Sequence, residues 1–331
     1  MAMNTDRRRI NAPSGGTSAP VFARTVKEQG YLQSLRPART RAPNDLRKIF
    51  LQTSIIPSAS GSAYYEIPSD ISPSPKSLIP PTSSLKIVAS IQGPKPLPRS
   101  APFSPTLLLT TTVKFAPFAT RIRRGYIRDS IERDLGVHVE AALRGVIIGE
   151  RWPKSGVEVV LTILEADEDG FWGDGGKGEG SGWGLLNVLA GCITVASAAI
   201  ADAGIDCVDL VSGGVAAIVP NPESKNGEET EVLKVLDPSP AEHEDIIAAC
   251  AVGYLAGRDE ITEIWMKGNV GVSPDDLVEG ATYAALGNLA VLKEVLLESI
   301  QARFASQQPQ SGAGDGANAK DGPQQDVEMS G

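Results

Sequence analysis

The sequence predicts a mixed α/β domain of the α+β kind, with mixed sheets packed on helices. Three observations predict it. Four β-rich runs lie between residues 48 and 115, separated by Pro, Ser and Gly clusters. Two helical patterns follow, at about 131–148 and 185–203, with strand-like sequence on both sides of the second. A further long helical run stands close to the C-terminus. The chain has 331 residues, 41% of them hydrophobic and 21% charged, which is ample apolar surface for a core. Only 5% are aromatic, so Val, Ile, Leu and Ala must fill most of that core.

Residues 1–35 are polar, contain Gly, Ser and Pro, and show no period, which predicts a flexible arm. Order is expected from Arg36-Pro37 onward. Strands are expected at Lys48–Ile56, Ser62–Ile67, Leu85–Ile91 and Leu107–Phe115, the last with Thr and Val suited to a pleated surface. Ser69–Ser84, rich in Pro and Ser, reads as an inserted loop. Asp129 as N-cap and Glu132 three residues on form a capping box for a helix over about Ile131–Ile148. Leu135, Val139, Ala142, Leu143 and Val146 share one face of it. Gly156–Leu164 alternates as a strand, and acidic, Gly-rich Asp167–Trp183 reads as a second insertion.

Leu185–Ala203 is apolar nearly all round, so it is expected to be buried on several sides. It is almost long enough to span a bilayer. Asn187, Thr194, Ser197 and Asp202 interrupt it, and basic anchors are missing at its ends, so it reads as a core helix and no membrane is implied. Strands return at Cys207–Val211, Val215–Val219, Val232–Leu236 and Ile261–Lys267, while Asp245–Leu255 fits either strand or helix. A terminal helix is expected from Pro274 to about Phe304, with Ser273 as N-cap and Pro at the first position. The Gln/Gly/Ala/Asp-rich residues after Ser306 read as a disordered acidic tail.

Several function classes find no support. Cys192, Cys207 and Cys250 form no CxxC pair, and an odd count without a secretory leader points to a reducing compartment. With only His138 and His243, no Cys/His spacing supplies a metal site, and no cofactor is implied. A Gly-x-Ser-x-Gly nucleophile elbow is missing. The run Gly173-Asp174-Gly175-Gly176-Lys177-Gly178 matches GxGxxG. Asp167, Glu168, Asp169, Asp174 and Glu179 would repel phosphates there, and no βαβ repeat precedes it, so it reads as a low-complexity loop.

Charge is more informative. The net charge of -9 divides sharply: residues 1–128 carry nineteen Lys/Arg against five Asp/Glu, a balance of +14, and residues 129–331 carry twelve against thirty-five, a balance of -23. Between Asp70 and Asp129 there are nine basic residues and no acidic one. Such asymmetry suggests nucleic-acid contact. Lys95, Arg99, Arg121, Arg123, Arg124 and Arg128 are the candidate RNA-binding residues, with Lys114 nearby and Phe103, Phe115, Phe118 and Tyr126 interleaved. Guanidinium groups bind phosphate oxygens, and aromatic rings stack on splayed bases. The bland alternative is a solvated basic face, or arginines paired with acids across a subunit boundary.

Read in order, the elements resemble the RNase PH family. Arg36-Pro37 followed by Arg41-Ala42-Pro43-Asn44-Asp45-Leu46-Arg47 is similar to that family's RPD-x-R-x-x-x-x-R opening. Ser60-Gly61-Ser62-Ala63 with Glu66 resembles its AxGSAxxE strand. Glu132–Gly145, with Ala141-Ala142-Leu143-Arg144, resembles its first long helix; Gly191-Cys192 and Asp202-Ala203-Gly204-Ile205 resemble its second helix and the exit from it. The resemblance covers about residues 36–300 and implies an RNase PH-like domain, ribosomal protein S5 domain 2-like, over 36–305.

The family assembles six-membered rings around a channel for single-stranded RNA, and its catalytic members perform phosphorolysis. The resemblance places their Gly-Thr-Arg-type phosphate site at the start of the second helix. Aligned on Gly191, this chain has Leu185 at the arginine and Leu186 at the neighbouring hydroxyl position, and leucine cannot hold an anion. The later acidic region becomes Asp237-Pro238 and then Glu242-His243-Glu244, with shifted spacing. No catalytic residue is therefore assigned. The implication is an inactive ring subunit of the eukaryotic RNA exosome, most similar to a fungal kind, acting in 3'-to-5' RNA processing and degradation. Implied partners are other RNase PH-like subunits in a six-membered hetero-ring, RNA-binding cap subunits, a separate exoribonuclease and single-stranded RNA. The implied location is nucleus, nucleolus and cytoplasm. The alternative is an active phosphate-dependent exoribonuclease.

Overall fold

Nine strands and three long helices make up the described part of the chain. A computed structural model describes residues 36–68, 84–125, 127–171, 180–221, 232–268 and 273–307. The expected arm at 1–35, nearly all of the Ser69–Ser84 loop, the Gly173–Gly178 run, Tyr126 and the tail beyond Gln307 lie outside these residues.

Strands β1 (Phe50–Thr53), β2 (Gly61–Ile67), β3 (Leu85–Pro96), β4 (Leu108–Phe115) and β5 (Ser155–Glu165) form one sheet in the order β1-β2-β3-β5-β4. All neighbours are antiparallel except β4 and β5. A parallel pair needs a crossover, and helix α1 (Ser130–Arg144) supplies it. Along β3, Leu85, Ile87, Ala89 and Ile91 are buried while the residues between them are half-buried, the alternation of a sheet covered more fully on one face. The predicted capping box is present: the Asp129 side chain accepts from Glu132 N, and Glu132 returns a bond to Asp129 N. Glu132, 1% exposed, also accepts from Phe115 N and pairs with Lys114, so the same carboxylate pins α1 to β4.

The second sheet contains β6 (Val211–Pro220), β7 (Val232–Leu236), β8 (Ala248–Leu255) and β9 (Glu260–Gly268), ordered β7-β6-β8-β9 and antiparallel throughout. Helix α2 (Trp183–Asp202) packs on β2 and β3 on one side and on β6 and β8 on the other. That position between two sheets explains its nearly uniform apolar surface. It is long and apolar enough to cross a membrane by length and composition, yet its side chains from Leu186 to Ile200 are buried inside the protein. Helix α3 (Pro274–Gln307) packs on the outer face of the second sheet over β6, β7 and β8.

One expectation needs correction and one open alternative is decided. Cys207–Val211 and Val215–Val219 are not separate strands: Val211–Pro220 is continuous, and Cys207 makes only an isolated bridge to Ile147. Gly213-Gly214 does not turn the chain but thins it. A Cβ on Gly213 would lie 2.2 Å from Ala190 O of α2, and one on Gly214 would lie 2.2 Å from Ala281 O and Ala285 N of α3. The ambiguous Asp245–Leu255 run is strand from Ala248.

Candidate functional site

The segment from Arg36 to Ile49 runs outside the sheets yet carries four arginines into the protein. Arg47 lies beneath it, with a side chain 4% exposed. Its Nε and backbone N donate to Asp237 Oδ2 at 3.0 and 2.9 Å, its Nη2 donates to Asp237 Oδ1 at 2.7 Å, and its Nη1 donates to Asp167 Oδ2 at 2.9 Å. Asn187 in the first turns of α2 donates to Asp167 Oδ2 and to Pro238 O. One guanidinium thus joins the N-terminal segment, the end of β5, the start of α2 and the end of β7. Burial alone would raise the Asp237 carboxyl, but Arg47 outweighs it and holds it below the ordinary range. Burial opposes the charge on Arg47 as well, and the two aspartates reverse that, holding it firmly protonated.

Beside this triad, Arg41 Nη2 donates to Glu242 Oε2 at 2.9 Å, and Arg39 Nη1 lies 3.9 Å from the same oxygen. The other Arg39 terminal nitrogen, Nη2, donates to the carbonyls of Ala42, Asp45 and Leu236 and, more weakly, to that of Pro43. Burial, and then the charge of Arg41, lower Arg39 to about 10. Burial and the facing Arg39, Arg41 and Arg36 push His243 down to about 4, so its imidazole is neutral at neutral pH. The acidic region singled out in the sequence is thereby accounted for. Asp237 is clamped by Arg47, Glu242 by Arg41, and Glu244 points to solvent.

At the start of α2, Gly182 adopts a left-handed conformation (φ 75°) and no side chain caps the helix from that position. Gly184 N instead donates to Asp169 Oδ1 at 3.1 Å. A helix N-terminus presents free amides to an anion, and here an aspartate of the same chain takes that place. Leu185 stands half-buried in this first turn and packs on the core. Asp167 and Phe171, at the start of the segment expected as an insertion, are buried at 4% and 3% exposure, and residues 172–179 of it lie outside the described residues. Composition does not show the burial of Asp167, because its partner Arg47 is 120 positions away.

The six candidate RNA-binding residues do not form one group. Lys95 pairs in register with Gly156, whereas Phe115, just ahead of the arginine turn, pairs with Ile163. Lys95 and Arg99 are therefore exposed at one end of the first sheet and Arg121–Arg124 at the other, roughly 23 Å apart along β5. Within the second group Arg121 and Arg123 are exposed beside Phe118, itself 74% exposed. Arg124 lies 4.1 Å above the Phe115 ring with Nη1 3.3 Å from Asp129 Oδ2, and Arg128 lies over Gly136 of α1. Arg124 and Arg128 are thus engaged in the fold. Among the described residues no group of three His, Cys, Asp or Glu side chains is arranged to hold a metal ion. His138 is a packing residue, stacked on Trp265 at 4.9 Å and bonded through Nδ1 to Glu263 at 2.8 Å.

Comparison with known proteins places this geometry. Residues 45–206 match the RNase_PH family described as "3' exoribonuclease family, domain 1". The chain is 47% identical over 302 residues to the exosome complex component MTR3 of Chaetomium thermophilum, covering 89% of this chain and 99% of that protein. It is 28% identical to the Schizosaccharomyces pombe mtr3 component over 80% of this chain and 84% of that protein. With the human MTR3 component it shares 24% identity over 93% of this chain and all of that one. In fold it is similar to rice Rrp46, with a TM-score of 0.56 and 17% identity over 79% of this chain and 98% of the other.

Proposed function

Because this chain belongs to the RNase PH family, we propose that it is a structural, non-catalytic ring subunit of an RNA exosome, contributing to the path of RNA in 3'-to-5' processing and degradation. The observation that carries the non-catalytic part is the start of α2. Leu185 and Leu186 offer no group to an anion, and the carboxylate of Asp169 already accepts from Gly184 N. A phosphate brought there would meet that negative charge. The nearby carboxylates are no freer to act, since Asp237 and Glu242 are held by arginines. The proposed partners are other RNase PH-like subunits in a six-membered ring, RNA-binding caps and a separate exoribonuclease. Nucleus, nucleolus and cytoplasm are the proposed locations.

The test is phosphate-dependent shortening of a 5'-labelled single-stranded RNA by the purified chain. No shortening above buffer is expected with or without inorganic phosphate. Phosphate-dependent shortening that Glu244→Ala abolishes would establish the alternative, an active phosphorolytic exoribonuclease.

The turn holding Phe118, Arg121 and Arg123 is the better placed of the two basic groups to grip RNA, since an exposed ring and two exposed guanidiniums share it. Arg121→Ala with Arg123→Ala is expected to weaken single-strand binding by the assembled ring several-fold. The salt dependence should fall by about 1.4 in log–log slope, at about 0.7 per lost phosphate contact. Arg124→Ala should move the slope much less, because that side chain is stacked and paired internally. Binding isotherms at several salt concentrations read both quantities; an unchanged slope in the double variant removes RNA from this turn.

A further inference from the structure

We infer that the cleft between α3 and β9 is a docking groove for one amphipathic helix, basic on its flanks, contributed by another protein of the assembly. The starting point is an imbalance in the second sheet. Its outer face is lined by Ala216 and Ile218 of β6 and by Ala248, Cys250, Val252 and Tyr254 of β8, all packed with Leu277, Ala281 and Ala285 of α3. The register carries the same face onto β9: Ile264 pairs with Val252, Met266 with Cys250, and Ile261 with Tyr254. Yet α3 packs on β6, β8 and β7 and hardly reaches β9. Ile261, Ile264 and Met266 are left 45%, 45% and 40% exposed, at an edge strand. Their neighbours Glu263 and Trp265 point to the other face, where Glu263 meets His138 of α1 and Trp265 stacks on it.

On the helix side, Leu286 is 39% exposed, while Ala281, Ala284 and Ala285, turned to the sheet, are buried. The apolar surface of α3 therefore continues past the part that the sheet covers. The dimensions select the occupant. Helix α3 sits over β6, where Gly214 admits the backbone of Ala281 and Ala285. β9 is two strands away from β6, which is about 9.6 Å at the usual strand spacing. Packed helices have their axes 8–10 Å apart. A helix laid over β9 would thus lie against α3 at ordinary packing distance and close the uncovered apolar floor.

Charge narrows the choice further. The rim carries Asp275 and Asp276 in the first turn of α3, and at the far end of β9 Glu260, 4.0 Å from Arg258. A second copy docked through this same face would set Asp275 and Asp276 against their own counterparts. Lysines or arginines on the flanks of the incoming helix fit instead. This inference rests on the reading of the chain as a ring subunit and adds to it where and by what chemistry a neighbour is held.

The experiment uses the full chain co-expressed with the other RNase PH-type subunits of its organism. A photo-crosslinking residue at Met266 or Leu286, compared with one at exposed Val137 on α1, is read by mass spectrometry. The expected result is that both groove positions, and not the control, join one helical, basic-flanked segment of another subunit. Crosslinks to this chain's own residues 308–331, to a second copy, to an extended segment along β9, or to nothing in an assembled ring overturn the assignment. Ile264→Glu should reduce recovery of the chain in the ring about tenfold with its circular dichroism unchanged, and Ile264→Val should restore recovery. If Ile264→Glu enters the ring at wild-type stoichiometry, the groove assignment fails and the functional reading stands. If the wild-type chain enters no ring with such subunits, both fail.

Discussion

Arg47→Ala is expected to destabilise the protein by about 3–5 kcal/mol, the usual cost of removing one partner from a buried ion pair. Against a total stability of about 5–15 kcal/mol, that is enough to leave much of the chain unfolded when expressed alone. The reason is not lost attraction so much as what remains. Asp237 and Asp167 accept four hydrogen bonds from Arg47, counting its backbone N, and after substitution two neighbouring carboxylates share a largely buried space with little compensation. Urea denaturation of wild type and variant reads the difference directly. Arg47→Lys should rescue only in part, because an ammonium cannot reproduce the two-pronged contact with Asp237.

The same cluster sets an acid limit. The Asp237 carboxyl is held below its ordinary 3.8 in the folded state. Such a group contributes stability above its unfolded value and loses it as pH falls through the folded one. The loss therefore belongs below about pH 3.8, and it should vanish in Asp237→Asn. Equal acid sensitivity in that variant would show that other carboxylates set the limit.

Gly213→Ala and Gly214→Ala are expected to be nearly as damaging, at about 3 kcal/mol each, the upper part of the range for inserting a methyl group into a packed interior. Adjacent residues on a strand face opposite sides, and this pair meets a different helix on each. The obstacle on both sides is main chain rather than the end of a flexible side chain: Ala190 O for the first, Ala281 O and Ala285 N for the second. The strand is also bonded to both helices here. Gly213 N donates to Thr194 Oγ1 of α2, and Asn288 Nδ2 of α3 donates to Gly213 O. A helix pushed outward would break those bonds as well. Thermal unfolding of each variant checks this; a shift within error of wild type would mean that the layers yield more easily than their backbone contacts imply.

What the sequence made legible follows from the range of the forces involved. The capping box at Asp129 and Glu132, the alternation along Leu85–Ile91 and the apolar helix at Leu185–Ala203 are local signals, and each found its element. The double glycine in β6 falls between two expected strands, because glycine marks both turns and close approaches, and only the two helices distinguish them. Leu185 was legible because a missing charge shows in one letter. The arginine clamps were not: Arg47 and Asp237 lie 190 positions apart, and nothing near either predicts the other. The basic stretch was legible as charge but not as geometry. A chain that runs out along one strand and back along another puts sequence neighbours at opposite ends of a sheet.

The place of α2 between two sheets also has a consequence for how the protein is made. The first sheet is complete in the chain by Glu165, but the second is not finished until Gly268, and α3 still follows. At about 5–20 residues per second, the ribosome needs roughly 3–13 s to travel the 66 residues from Asp202 to Gly268. During that interval α2 has a sheet for one flank only, and its opposite flank, destined for β6 and β8, is bare apolar surface. The nascent chain thus passes through a stage in which its most water-averse helix is half covered, and a chaperone that binds apolar helices would find its client there and not in the finished fold.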